Sequence, residues 1–155
     1  MNKTEKYINL INQVNSLIDN ETDFIANLSN IASSIHFTFN FHWTGFYLNN
    51  GKELVLGPFQ GPIACTRIKY NKGVCGKAFT SAQIINVPDV NEFKGHIACS
   101  EHSKSEIVVP VIVDNIVLAL IDIDSENYNC FDDTDEHYLA IISKNISKIF
   151  KTTEH

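Results

Sequence analysis

Apolar residues recur at helical spacing near both ends of the chain and at alternate positions through the middle. Between residues 5 and 18, Tyr7, Leu10, Ile11, Val14, Leu17 and Ile18 form one stripe, with Lys6, Asn12 and Asn15 elsewhere. That spacing predicts an amphipathic helix. Phe24, Ile25, Leu28, Ile31, Ala32 and Ile35 predict a second, capped by Asn20 or Thr22, with Asp23 near its positive end. The period then changes to two. Phe41, Trp43, Gly45 and Tyr47 alternate with His42, Thr44, Phe46 and Leu48, and Asn49-Asn50-Gly51 is a hairpin turn signal. Glu53–Leu56 is the expected return strand, followed by a short strand or loop over 63–70. A short helix is expected over Gly73–Ala82, with Asn71 as its cap, then a short strand at Ile84–Val87. Glu106–Val113 and Ile116–Asp124, joined by Asp114-Asn115, are the expected central hairpin. Leu139, Ile142, Ile146, Ile149 and Phe150 predict a last helix, capped by Asp132 or Asp133, with Lys148 and Lys151 suited to its C-terminal end.

This order predicts an α+β fold in a single domain over 1–155: N-terminal helices at about 3–36, sheet and loops at about 41–125, and a C-terminal helix at about 132–151. The sheet is expected to be antiparallel, with the terminal helices on one face and the segment between Gly57 and Glu106 covering the other.

A length of 155 residues, 44% of them hydrophobic, supports a core that needs neither metal nor disulfide. The net charge is -6 and no basic cluster is present, which argues against nucleic acid and anionic membrane as partners. The N-terminal MNKTEKYINL lacks the apolar core of a signal peptide, and no apolar run approaches a membrane span of about 20 residues. A cytoplasmic protein is expected, in which cysteines serve metal binding, redox chemistry or core filling.

Three of the four cysteines, Cys65, Cys75 and Cys99, fall in one turn-rich stretch between Phe59 and Pro110. No CxxC unit is present, so the spacing suggests neither a thioredoxin-type motif nor a zinc site; Cys65, Cys75, Cys99 and His96 could supply four ligands without being arranged as a recognised set. A nucleophilic thiol with a resolving partner and inert core thiols both fit. Cys99 stands apart, in a loop rich in Gly, His and Ser that could expose a thiol and lower its pKa. Cys130 reads as structural. Trp43, Gly45 and Tyr47 share a strand face, either as core aromatics or as the wall of a pocket with a slot at the glycine. Asp122 and Asp124 share another, where unpaired burial among Leu118, Leu120 and Ile123 would be costly. Asp124 could instead end its strand, and Glu106 could be an exposed strand start. No GxSxG, HExxH or Walker pattern is present.

The motifs FQGxxAC (Phe59–Cys65), GVCG (Gly73–Gly76), GHIAC with SxSEIVVP (Gly95–Pro110), WTGFY (Trp43–Tyr47) and IDIDS (Ile121–Ser125) together resemble the free methionine-(R)-sulfoxide reductases, a family built on a GAF domain. The resemblance implies reduction of free methionine sulfoxide by Cys99, with Cys65 as the main resolving cysteine and Cys75 as an auxiliary one. It implies that Trp43 and Tyr47 wall the S-methyl end, and that Glu106, Asp122 and Asp124 bind the ammonium and assist at the sulfoxide oxygen. No cofactor and no metal are implied; an external dithiol, thioredoxin, is the implied reductant. A homodimer through the terminal helices is compatible with it. A non-catalytic GAF domain sensing a small ligand or redox state is the alternative.

Overall fold

The computed structural model describes residues 1–96 and 102–151. Helix α1 (Lys3–Asn20) opens with a capping box: the Asn2 side chain accepts from the Glu5 amide at 2.8 Å, and Glu5 accepts from the Asn2 amide at 3.1 Å. Helix α2 (Phe24–Phe39) is capped by Asp23, which accepts from the Ala26 amide at 2.8 Å. Neither Asn20 nor Thr22 takes that role; Asp23 is the residue directly before the helix, where a side-chain oxygen reaches the free amides of its first turn.

Strand β1 (Trp43–Asn49) begins two residues later than predicted. Its partner β2 (Leu54–Gln60) runs past the expected end at Leu56. The pairing steps from Gly45–Phe59 to Tyr47–Leu56, so β2 carries one extra residue around Gly57-Pro58. These residues lie beyond the expected strand end; in the sheet they form a bulge, which tolerates the missing amide hydrogen of proline. Strand β3 (Arg67–Ile68) is followed by α3 (Gly73–Ser81). The residue before α3 is Lys72, not Asn71, and no side chain caps this helix. Strand β4 (Ile85–Val87) leads to a single 3-10 turn at Val90–Glu92.

Strands β5 (Ser105–Val113) and β6 (Ile116–Ser125) form the longest hairpin. Asp114 and Asn115 both have positive φ, at 51° and 65°, the geometry that matches the twist of a tight hairpin. Helix α4 (Asp133–Lys151) closes the chain, with the Asp132 carboxylate accepting from the Thr134 amide at 3.0 Å.

The sheet has the order β3-β2-β1-β6-β5-β4, with antiparallel neighbours throughout. One face sends Phe46, Ile107, Val109, Ile121 and Ile123 into a core shared with α1, α2 and α4. The other sends Trp43, Tyr47, Val108 and Leu120 into a smaller cluster with α3 and its flanking loops. Buried Asp135 joins the starts of α1 and α4: it accepts from the Tyr7 hydroxyl at 2.5 Å, the Lys3 ammonium at 2.7 Å and the Asp132 amide at 2.9 Å. Among the described residues, no helix is long and apolar enough to cross a membrane.

Candidate active site

Strand register determines which side chains meet on the α3 face. On β1 and β6, Trp43 stands opposite Asp124, Gly45 opposite Asp122, and Tyr47 opposite Leu120. On β5, Glu106 stands opposite Asp124 and Val108 opposite Asp122. Directly paired residues lie about 5 Å apart, and the two-residue period keeps all of them on one face. Trp43, Tyr47, Glu106, Asp122 and Asp124 thus line a single pocket, together with Cys75 of α3, His96, Ser103 and the loop residues Ile63 and Ala64. The cavity measures about 40 Å³.

The aromatic pair belongs to both readings left open by the sequence. Trp43 and Tyr47 are buried, with ring centroids 6.0 Å apart, and they also line the pocket. The expected slot at Gly45 is filled: a Cβ there would collide with Phe59 and would come within 2.6 Å of the Trp43 ring. Phe59 stacks on Trp43 at 5.2 Å, so glycine serves aromatic packing rather than ligand approach. The polar ends of both aromatics hold the loop that carries Cys65. Trp43 Nε1 donates to the Pro62 carbonyl at 3.0 Å, and the Tyr47 hydroxyl donates to the Cys65 carbonyl at 2.8 Å. Gly61, with φ of +128°, lets this loop pass close to Trp43, where a Cβ would lie 2.7 Å from the indole ring. Cys65 is half-buried and disulfide-bonded, whereas Cys75 and Cys130 carry free thiols. Cys99 lies outside the described residues.

The carboxyls dominate the electrostatics. Glu106 and Asp122 are each only 6% exposed, so Glu106 is no exposed strand start. Asp124 accepts from the Ser103 hydroxyl at 3.0 Å and faces the pocket instead of merely ending its strand. Asp122 Oδ1 has no hydrogen-bond partner among the described residues. Burial disfavours the charged form of each acid, and each acid disfavours ionisation of the next. Burial and then Asp124 raise Glu106 to about 8, against the pull of a hydrogen bond with Asp122. Burial and Glu106 push Asp122 well above the carboxylate range; burial and Asp122 do the same to Asp124, opposed by Ser103. Burial, followed by Asp122, Glu106 and Asp124, keeps Cys75 a thiol. Burial lowers His96, whose Nε2 lies 3.7 Å from Glu106 Oε2, too far for a hydrogen bond. The pocket therefore combines acids that hold protons near neutrality, an aromatic wall and a buried thiol, a set suited to protonating a polar oxygen held against apolar surface.

Two pocket residues carried no such weight in the sequence. His96 stood out only as one member of a cysteine-rich ligand set, and Ser103 only as part of the motif SxSEIVVP. Ser103 reaches Asp124 across 21 positions of chain, which no local pattern encodes.

The model of the GAF domain matches residues 23–149. "GAF domain-containing protein A" of Dictyostelium discoideum is 50% identical over 92% of this chain and 90% of its own. The free methionine-R-sulfoxide reductase of Escherichia coli is 43% identical over 100% of this chain and 94% of its own. The crystal structure of free methionine-R-sulfoxide reductase from Neisseria meningitidis, in complex with its substrate, superposes with a TM-score of 0.95 at 43% identity, covering 97% of this chain and 92% of that one. The chain belongs to the GAF-domain family and, within it, to the free methionine-R-sulfoxide reductases.

Proposed function

We propose that this protein reduces free methionine (R)-sulfoxide to methionine, with two of its own thiols as the electron source. The observation that carries it is the meeting, on one sheet face, of three proton-holding acids and an aromatic pair beneath the loop bearing a disulfide-bonded Cys65. The substrate complex of the Neisseria meningitidis relative adds support.

In this reading, the Cys99 thiolate attacks the sulfoxide sulfur while a pocket acid protonates the departing oxygen. The oxygen passes to Cys99 as sulfenic acid, and methionine leaves as the thioether. The Cys65 thiol then attacks the sulfenic sulfur, water departs, and a Cys65–Cys99 disulfide remains. The sum is one sulfoxide and two thiols giving one thioether, one disulfide and water. An external dithiol, thioredoxin, restores both thiols by exchange, with no bound cofactor. Cys65, half-buried in the loop after Ile63 and Ala64, is the main resolving residue; Cys75, kept protonated by burial and its acidic neighbours, is a slower auxiliary.

The acids divide the work. A substrate ammonium entering the cluster stabilises one of them as carboxylate, and another retains the proton that the oxygen needs. Trp43 and Tyr47 pack the S-methyl end.

The test is NADPH consumption with thioredoxin, thioredoxin reductase and each epimer of free methionine sulfoxide. Turnover of the R epimer, abolished by Cys99→Ser, is expected. Tight binding without NADPH consumption would favour the sensor alternative and overturn the enzyme reading.

A further inference from the structure

Three potential metal-binding atoms converge in the pocket: Cys75 Sγ and one carboxylate oxygen each from Glu106 and Asp122, all within 4.8 Å of one another. The cysteine spacing alone gave no hint of this set, because α3, β5 and β6 assemble it from distant parts of the chain. His96 stands outside that cluster, but its Nε2 lies 3.7 Å from Glu106 Oε2 and it lines the same cavity. A second feature is independent of the clustering. Asp122 lines this pocket and is 6% exposed, yet its Oδ1 has no hydrogen-bond partner among the described residues. A buried oxygen without a donor is costly to maintain, and a cation would satisfy it. The cavity is also the right size for one ion.

We propose that Cys75, Glu106 and Asp122 form a binding site for a borderline-soft divalent cation, zinc in the first instance, inside the pocket that takes the substrate, with His96 turning in as the fourth ligand when the ion binds. One sulfur, one imidazole nitrogen and two carboxylate oxygens are a donor set for four-coordinate zinc. The thiolate discriminates against magnesium and calcium, which prefer all-oxygen sites. The cation occupies the same acids that would bind the sulfoxide and its ammonium, so the two exclude each other. Zinc therefore restrains turnover by competing with substrate, and it engages Cys75 directly. The competition rests on the proposed function; the binding site does not.

The binding test needs no substrate turnover. Cys130→Ser protein is taken in the form in which Cys65 is disulfide-bonded, leaving Cys75 as the pocket thiol, and is titrated with cobalt(II) as a spectroscopic stand-in for zinc. One equivalent is expected to produce a sulfur-to-cobalt charge-transfer band together with the intense visible bands of tetrahedral cobalt, all bleached by zinc. Adding Cys75→Ser should abolish the charge-transfer band. His96→Ala and Asp122→Asn should keep that band and weaken zinc, measured against a chromogenic chelator, by about 100-fold or more, beyond the loss typical of an outer-sphere change. No stoichiometric band, or a band that survives Cys75→Ser in folded protein, would overturn the site. Should Cys75→Ser fail to fold, unchanged zinc affinity in both other variants overturns it instead. In the reduced enzyme, zinc is expected to raise KM for the sulfoxide while leaving kcat intact; inhibition that excess sulfoxide does not relieve would overturn the competition.

Discussion

The two faces of the central sheet are built from the same strands and behave as different materials. On β6, Ile121 and Ile123 point into the helical layer and are wholly buried among other apolar side chains. One residue away, Leu120, Asp122 and Asp124 point to the opposite face, where two of three are acids. On β5, Ile107 and Val109 alternate with Glu106 and Val108 in the same way. Even the buried polar groups differ. Asp135, in the helical layer, accepts from Tyr7, Lys3 and a backbone amide. Asp122, in the pocket, leaves an oxygen unpartnered among the described residues. A two-residue period thus separates stability from chemistry along a single strand, and the chemical face carries buried acids whose ionisation does not help folding.

The contrast can be broken first on the chemical side. Asp122→Asn keeps shape and removes an acid. A fall of about 10²–10⁴-fold in kcat/KM is expected, the range for losing a positioned acid, with a thermal midpoint that holds or rises. Assay and melting of the same preparation decide it; a large drop in the midpoint would make Asp122 a structural residue. The helical side should respond in reverse. Ile121→Ala is expected to destabilise by about 2–5 kcal/mol, as for other large-to-small core changes, while the folded fraction retains its specific activity. Denaturant unfolding and an assay well below the midpoint measure both.

The smallest effect sharpens the electrostatic part. Glu106 is raised from an ordinary 4.5 to about 8, so its neutral form favours the folded state. Its contribution is full below about pH 4.5 and is lost as pH rises to about 8, with a slope of at most about 1.4 kcal/mol per pH unit for one group. Glu106→Gln should flatten that slope and be more stable than the parent near pH 8. Unfolding free energies across this window check it, and an unchanged slope would show that Glu106 ionises normally.

Most of the layer arrangement was legible because it is encoded locally. The β5–β6 hairpin followed from alternation on either side of Asp114-Asn115, and the terminal helices from their apolar stripes. Asp122 could be singled out because a carboxylate between Leu120 and Ile123 has no cheap burial. What escaped depended on pairing between distant segments. The strand was expected to end at Leu56, and only pairing with β1 carries it on through a bulge at Gly57-Pro58. Gly45 looked like an opening until Phe59 packed over it. Cys75 and His96 are separated by 21 positions in sequence, and only the packing of α3 against β5 and β6 brings the thiol and the acids together. The family resemblance named Cys75 among the thiols of turnover; its acidic surroundings appear only in three dimensions.

The central claim is that oxidation passes from a bound sulfoxide to two specific thiols. Fully reduced protein, mixed with one equivalent of free methionine (R)-sulfoxide and no external reductant, should yield one equivalent of methionine and a disulfide that peptide mass mapping places between Cys65 and Cys99, with Cys130 still a thiol. Methionine release without that disulfide, or no methionine at all, would contradict the account.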